Sequence, residues 1–161
     1  GDVDGLGMTW YKVPKATDTS YRNGWPNGIK VDLIGSKFLA SVLTGMTVLG
    51  NSPVSVPAVN ALATLDGGNL AGPLSNQLSI SAQSVVTVLG APAGGSAAQN
   101  LAITLNADGT LTGSFLHPVS GQTTTVGGAV VQKTQSAKGY FMAPPASGSP
   151  LQSGAVNISP Q

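Results

Sequence analysis

Asn100-Leu-Ala-Ile-Thr-Leu-Asn-Ala-Asp-Gly-Thr-Leu-Thr-Gly-Ser-Phe115 decides the fold. Leu101, Ile103 and Leu105 alternate with polar or smaller residues, Asp108-Gly109 intervenes, and Leu111, Gly113 and Phe115 resume the alternation. Successive side chains on a strand point to opposite faces, so a period of two turns one set inward on each arm. Asp-Gly readily takes the positive φ of a tight turn, and the two arms are expected to form an antiparallel hairpin. A second hairpin through Ser120-Gly121 would add Val126 to Val131.

The same grammar extends in both directions. Short β-rich runs recur at Met46 to Leu49, Ala58 to Leu65, Leu78 to Ser81, Val85 to Leu89, Gly139 to Met142 and Ala155 to Ile158, separated by Gly-, Pro-, Asn- and Asp-rich turns. Further upstream, Gly28 to Phe38 alternates through Ile29, Val31 and Leu33 and shifts phase near Gly35, as a bulged or bent strand would. Met8 to Val13 reads as a strand stopped by Pro14, residues 1–7 as a turn-like lead-in or linker, and Lys15 to Asn27 as a loop. Only residues 39–45 suit a short helix. The expectation is one all-β domain over residues 1–161, an antiparallel barrel or sandwich of about ten short strands.

Composition narrows the function. Charged residues are 8% of the 161, against about 25% in an average soluble protein, so hydroxyls, amides and backbone must cover much of the surface. The six acids are Asp2, Asp4, Asp18, Asp32, Asp66 and Asp108, with no Glu. Net charge is +1, with four of these aspartates interleaved among Lys12, Lys15, Arg22, Lys30 and Lys37, which is no basic footprint for nucleic acid. Without cysteine there is no disulfide, thiolate metal site or cysteine nucleophile. No apolar run approaches the roughly 20 residues a membrane-spanning helix needs. Gly1 opens the sequence without Met or a signal peptide, so the chain is expected to be a processed or excised part of a longer product.

The segment 100–115, with His117-Pro118, Gly127-Gly-Ala-Val-Val-Gln-Lys133, Lys138-Gly-Tyr-Phe141 and Ser153-Gly-Ala-Val-Asn-Ile158, resembles a β-rich module that recurs near the C-terminus of very large secreted or cell-surface proteins of environmental bacteria. Trp10-Tyr-Lys-Val-Pro14, Tyr21 to Gly28 and Gly35-Ser-Lys-Phe38 are similar to the opening of that module. The resemblance implies an extracellular setting and a β fold, and no established activity. Gly113, Gly127, Gly139 and Gly154, next to aromatic or β-branched residues, are expected to mark bends or close strand approaches.

Catalytic chemistry is thinly supplied. His117 is the sole histidine and precedes Pro118; no Gly-x-Ser-x-Gly elbow accompanies it, and a surface or hairpin role, dispensable for folding, is expected. Asp66 and Asp108 sit in Asp-Gly turns, where a carboxylate caps its own backbone. Asp2-Val-Asp4-Gly5 resembles the start of a calcium loop but lacks the third aspartate and the bidentate Glu, which makes it a weak calcium candidate; no other metal and no cofactor is implied.

One cluster departs from the rest: Trp10, Tyr11, Tyr21, Trp25 and Phe38 are five of the eight aromatics. Two readings remain open. The rings plug one end of the barrel, as the scarcity of large core residues suggests, or Trp25, flanked by Gly24 and Pro26, is exposed with Tyr21 to stack on sugars while Arg22, Asn23 and Asn27 bind hydroxyls. The plug is the expected arrangement.

The leading functional expectation is a non-catalytic structural or interaction module of a secreted or cell-surface bacterial protein. Its partners would be adjacent domains or subunits, in a repetitive assembly that low charge would suit, without nucleic acid or membrane insertion. Carbohydrate binding through the Tyr21–Trp25 loop, and hydrolysis using His117 or the aspartates, are the alternatives.

Overall fold

The computed structural model describes residues 2–40, 45–143 and 151–161. Among the described residues ten strands form two sheets: β1 (Val3–Lys12) and β2 (Trp25–Gly35) in one, and in the other β3 (Ala61–Gly67), β4 (Leu74–Ile80), β5 (Val86–Val88), β6 (Gln99–Leu105), β7 (Thr110–Leu116), β8 (Thr123–Val131), β9 (Ser136–Ala143) and β10 (Gln152–Pro160). The larger sheet is antiparallel throughout, in the order β5-β4-β3-β10-β9-β8-β7-β6, and curls into a nearly closed barrel as β5 and β6 approach each other. Two consecutive meanders, β3 to β5 and β6 to β10, are joined because the last strand returns beside the first of the barrel. Asn76 helps fasten the seam: its Oδ1 accepts from the Ala98 N–H at 2.9 Å.

The expected hairpin is present in register, with Ile103 opposite Gly113 and Leu105 opposite Leu111. Gly109, at φ +85°, turns the chain where the Phe38 ring leaves no room for a Cβ. Leu101, Ile103, Leu105, Leu111 and Phe115 are all buried, and β8 adds Val126 and Val130 through the second hairpin. Phe115 and Phe141 meet edge to face, ring centres 5.0 Å apart, and are the core aromatics. Gly113, Gly139 and Gly154 are close approaches, as expected; Gly127 is not, having open space where its side chain would be.

Several boundaries differ from the sequence reading. The lead-in is strand: β1 begins at Val3, and a bulge between Gly5 and Met8, with Gly7 at φ +63°, absorbs the glycines that looked turn-like. β2 starts at Trp25, within the expected loop, and ends at Gly35 rather than bending there. Met46 to Leu49 is turn rather than strand, yet Val48 and Leu49 enter the barrel core from it. Of the helix expected over 39–45, positions 41–44 lie outside the described residues; Leu39 is irregular, Ala40 is in 3₁₀ conformation and Gly45 is in a turn.

The aromatic plug is also corrected. Of the five clustered aromatics only Phe38 packs against the barrel core. Trp10 and Tyr11 are exposed and Trp25 is half-buried, because all three ride on the separate β1–β2 hairpin; Phe115, Phe141 and the aliphatic side chains of the barrel make up its core.

Candidate functional site

In β1–β2 the pairings Val3 to Gly35, Gly5 to Leu33, Met8 to Val31 and Trp10 to Ile29 put these side chains on one face. The opposite face is mixed: it carries Asp4, Thr9, Lys30 and Asp32 together with Ile34, opposite Asp4, and Tyr11, beside Thr9. No residue of either strand is fully buried: on the apolar face Val3, Met8, Trp10 and Leu33 are exposed, and Ile29 and Val31 between them are half-buried. An isolated two-stranded hairpin is marginal in water, and this one is tied to the barrel at three points. Lys133 donates to Asp4, Ser20 bridges to Leu151, and the Ser153 N–H donates to Tyr21 Oη at 2.7 Å, with the Ser153 hydroxyl also against that phenol.

At one end of the apolar face three rings meet in series at tilted angles. Trp10 and Trp25 lie with centres 5.5 Å apart and planes at 53°, and Tyr21 meets Trp25 at 5.0 Å and 46°. The intervening loop needs Gly24: its φ is +52°, and a Cβ there would sit 2.2 Å from the Lys12 carbonyl oxygen. Tyr21 is itself left-handed, at φ +51°, a conformation unfavourable for a bulky residue that its ties to Ser153 and Trp25 compensate.

Lys12 Nζ donates to Asp18 Oδ2 at 2.6 Å and to the Tyr21 carbonyl at 3.1 Å, while Arg22 Nε donates to the Asp18 carbonyl at 2.7 Å. The Lys12 hydrogen bond, with lesser help from the charges of Lys12 and Lys15, holds the Asp18 carboxyl below the usual carboxylate range. Asn23 and Asn27 are exposed; Asn27 lies in the β2 bulge between the Trp25 and Ile29 pairings. The structure therefore brings Tyr21, Arg22, Asn23, Trp25 and Asn27 to one end of the hairpin, and adds the exposed rings of Trp10 and, next to it in β1, Tyr11.

His117 is fully buried, correcting the surface reading. Its Nε2 is 2.8 Å from the carbonyl oxygen of buried Gly68, and the Ser120 N–H points at Nδ1 from 3.4 Å. A neutral imidazole protonated on Nε2 satisfies both contacts. Its ring lies 5.9 Å from that of Phe115 and 6.4 Å from that of Phe141. His117 thus latches the loop after β3 to the end of β7, and meets no carboxylate or hydroxyl in these contacts. A signal for this was available: Leu111, Phe115 and His117 share one parity.

The aspartates hold backbone. Asp66 Oδ1 accepts from the Gly67 N–H at 2.8 Å, and Asp108 Oδ1 accepts from Thr110 Oγ1 and N–H at 2.7 and 2.9 Å. The Thr110 hydroxyl, followed by its amide, lowers the Asp108 pKa from the ordinary aspartate value. Asp4 lies on a strand and faces Lys133, so the calcium-loop reading of Asp2 and Asp4 is corrected: an extended segment does not wrap its oxygens around a cation. Among the described residues no three His, Cys, Asp or Glu side chains converge as metal ligands, and no helix is long and apolar enough to cross a membrane.

Compared with protein-family models, curated proteins and solved structures, the chain matches none.

Proposed function

We propose that the chain is a non-catalytic interaction module of a secreted or cell-surface bacterial protein, in which the barrel is the scaffold and the β1–β2 hairpin makes the contact. One observation carries this reading: the exposed large apolar side chains are concentrated on a hairpin outside the packed core, with Val3, Met8, Trp10 and Leu33 side by side on one face. Contiguous exposed apolar surface of this kind marks interaction sites in soluble domains. The resemblance of the sequence to C-terminal modules of large secreted proteins supports the extracellular setting. The ring cluster at the Lys12 end favours carbohydrate as the partner.

The test is retention of the chain on insoluble polysaccharides, on peptidoglycan and on immobilised copies of itself, with Leu33→Asp and Tyr140→Ser variants alongside. Leu33 lies on the hairpin face and Tyr140 is exposed on the barrel. Retention of the parent chain on at least one support, lost in Leu33→Asp and kept in Tyr140→Ser, with melting unchanged in both, is the expected result. Retention indifferent to Leu33→Asp, or a substrate turnover abolished by His117→Ala, would overturn it.

A further inference from the structure

Resting on the reading of the hairpin as the contact surface, we propose that its Trp10 end is a binding site for an acidic, uronate-bearing polysaccharide, with Trp10 as the stacking platform and Arg22 and Lys15 as the carboxylate-binding cations. Trp10 is 57% exposed, yet it is no loose side chain. It rises from mid-strand opposite Ile29, backed by Trp25, which Tyr21 backs in turn. A ring fixed in this way offers its electron-rich face to the C–H face of a pyranose at small entropic cost.

Charge decides which pyranose. From Met8 to Gly28 the chain carries Lys12, Lys15 and Arg22 against Asp18 alone, three positive charges and one negative, leaving +2 beside the rings in a chain whose total is +1. The Asp18 carboxylate is occupied by Lys12 at 2.6 Å and Lys15 at 3.5 Å, and the Lys15 side chain is still 69% exposed. Backbone pairing holds the two outer cations together: the Lys15 N–H donates to the Arg22 carbonyl at 2.9 Å. Arg22 spends Nε on the Asp18 carbonyl, which leaves the terminal nitrogens of an exposed guanidinium for a carboxylate. Exposed Asn27, in the bulge next to the Trp10 pairing, is placed for sugar hydroxyls.

Other occupants fit less well. A flat two-stranded face of this length covers on the order of 350 Å², well under the roughly 800 Å² per partner of a stable protein interface, which disfavours a second copy. Single-stranded nucleic acid shares the chemistry of rings and cations, but its groove tracks a phosphate backbone with successive cations and open rings. Here the two exposed rings of β1, Trp10 and Tyr11, lie on opposite faces of the hairpin, Tyr11 on the side of Thr9, so no run of open rings follows the two outer cations.

Affinity electrophoresis of the full chain in polygalacturonate, alginate, laminarin and an oligothymidylate tests the proposal. The two uronate polymers should retard the chain, more at low salt than at high, and laminarin and the oligothymidylate should retard it less. Trp10→Ala should weaken uronate binding about tenfold or more, and Trp10→Tyr, which keeps a ring, should retain most of it. Arg22→Gln should weaken binding and flatten its salt dependence. Equal retardation by laminarin without salt dependence, stronger binding of the oligothymidylate, no retardation by either uronate polymer, or an unaffected Trp10→Ala would each overturn it. Self-association through Leu33 without uronate binding would sink the glycan proposal and leave the interaction module standing; indifference to every hairpin substitution would sink both.

Discussion

The barrel and the β1–β2 hairpin draw on the same low-charge, Gly-rich chain and treat their apolar side chains in opposite ways. In β6, Leu101, Ile103 and Leu105 are buried while the residues between them are exposed; in β1, Val3, Met8 and Trp10 come to one face through the bulge between Gly5 and Met8, and none is buried. Alternation makes a face apolar, and a second layer makes it dry. The barrel supplies that layer to itself by curling, since each inward face meets the others across the interior. Among the described residues no second layer covers the hairpin. A packed barrel thus contributes stability and little surface chemistry, and the hairpin contributes surface at little cost to the fold.

Substitutions sharpen this contrast, and the largest effect belongs to the barrel. Phe115→Ala removes a fully buried ring packed on Phe141 and should cost about 3–5 kcal/mol in urea unfolding, from lost burial and the cavity together. A loss below about 0.5 kcal/mol would show that the interior tolerates gaps and would erase the contrast. Next comes His117→Ala, which leaves the buried Gly68 carbonyl without its partner and should cost about 1–3 kcal/mol. His117→Gln, which can still donate to that carbonyl, should recover part of the loss; an equal loss in both would assign the effect to volume.

Acid should produce the smallest effect, confined to the hairpin. Lys12 and Lys15 lower the Asp18 pKa, so the contribution of these pairs is complete above the unfolded-state pKa and fades as pH falls through the lower folded value. Both partners are solvent-accessible, and the effect on global unfolding is accordingly slight. Below the usual carboxylate range, tryptophan fluorescence, which reports only Trp10 and Trp25, should change before the far-ultraviolet β signal does. Coincident transitions would mean that hairpin and barrel melt as one unit.

What could be read along the chain follows this division. The register of β6 and β7 and the identity of their buried residues were legible, because Asp108-Gly109 fixes the turn and the period of two fixes the face. The start of β1 was not, since Gly5 and Gly7 resemble a turn until the bulge opposite Asp32 is seen, where the Gly7 N–H meets the Asp32 carboxylate at 2.7 Å. Within the candidate site, the crowding of Trp10, Tyr21, Trp25 and Arg22 was visible in sequence. The exposure of Trp10 was not, nor was the tie from Tyr21 to Ser153, which joins residues 132 positions apart.

By itself, the sequence determined that the chain is all-β, that residues 101–116 fold back on themselves, and that most aromatic side chains gather near one end of the chain. These properties depend on φ preferences and side-chain alternation, which act over a few residues. Only the tertiary structure decided that β10 pairs with β3, that His117 is a buried latch, and that of the clustered aromatics only Phe38 packs against the barrel core. The reason is that burial is a property of pairs of surfaces. Alternation prepares a face, but whether another layer covers it depends on contacts between residues far apart in the chain, and no local pattern contains them.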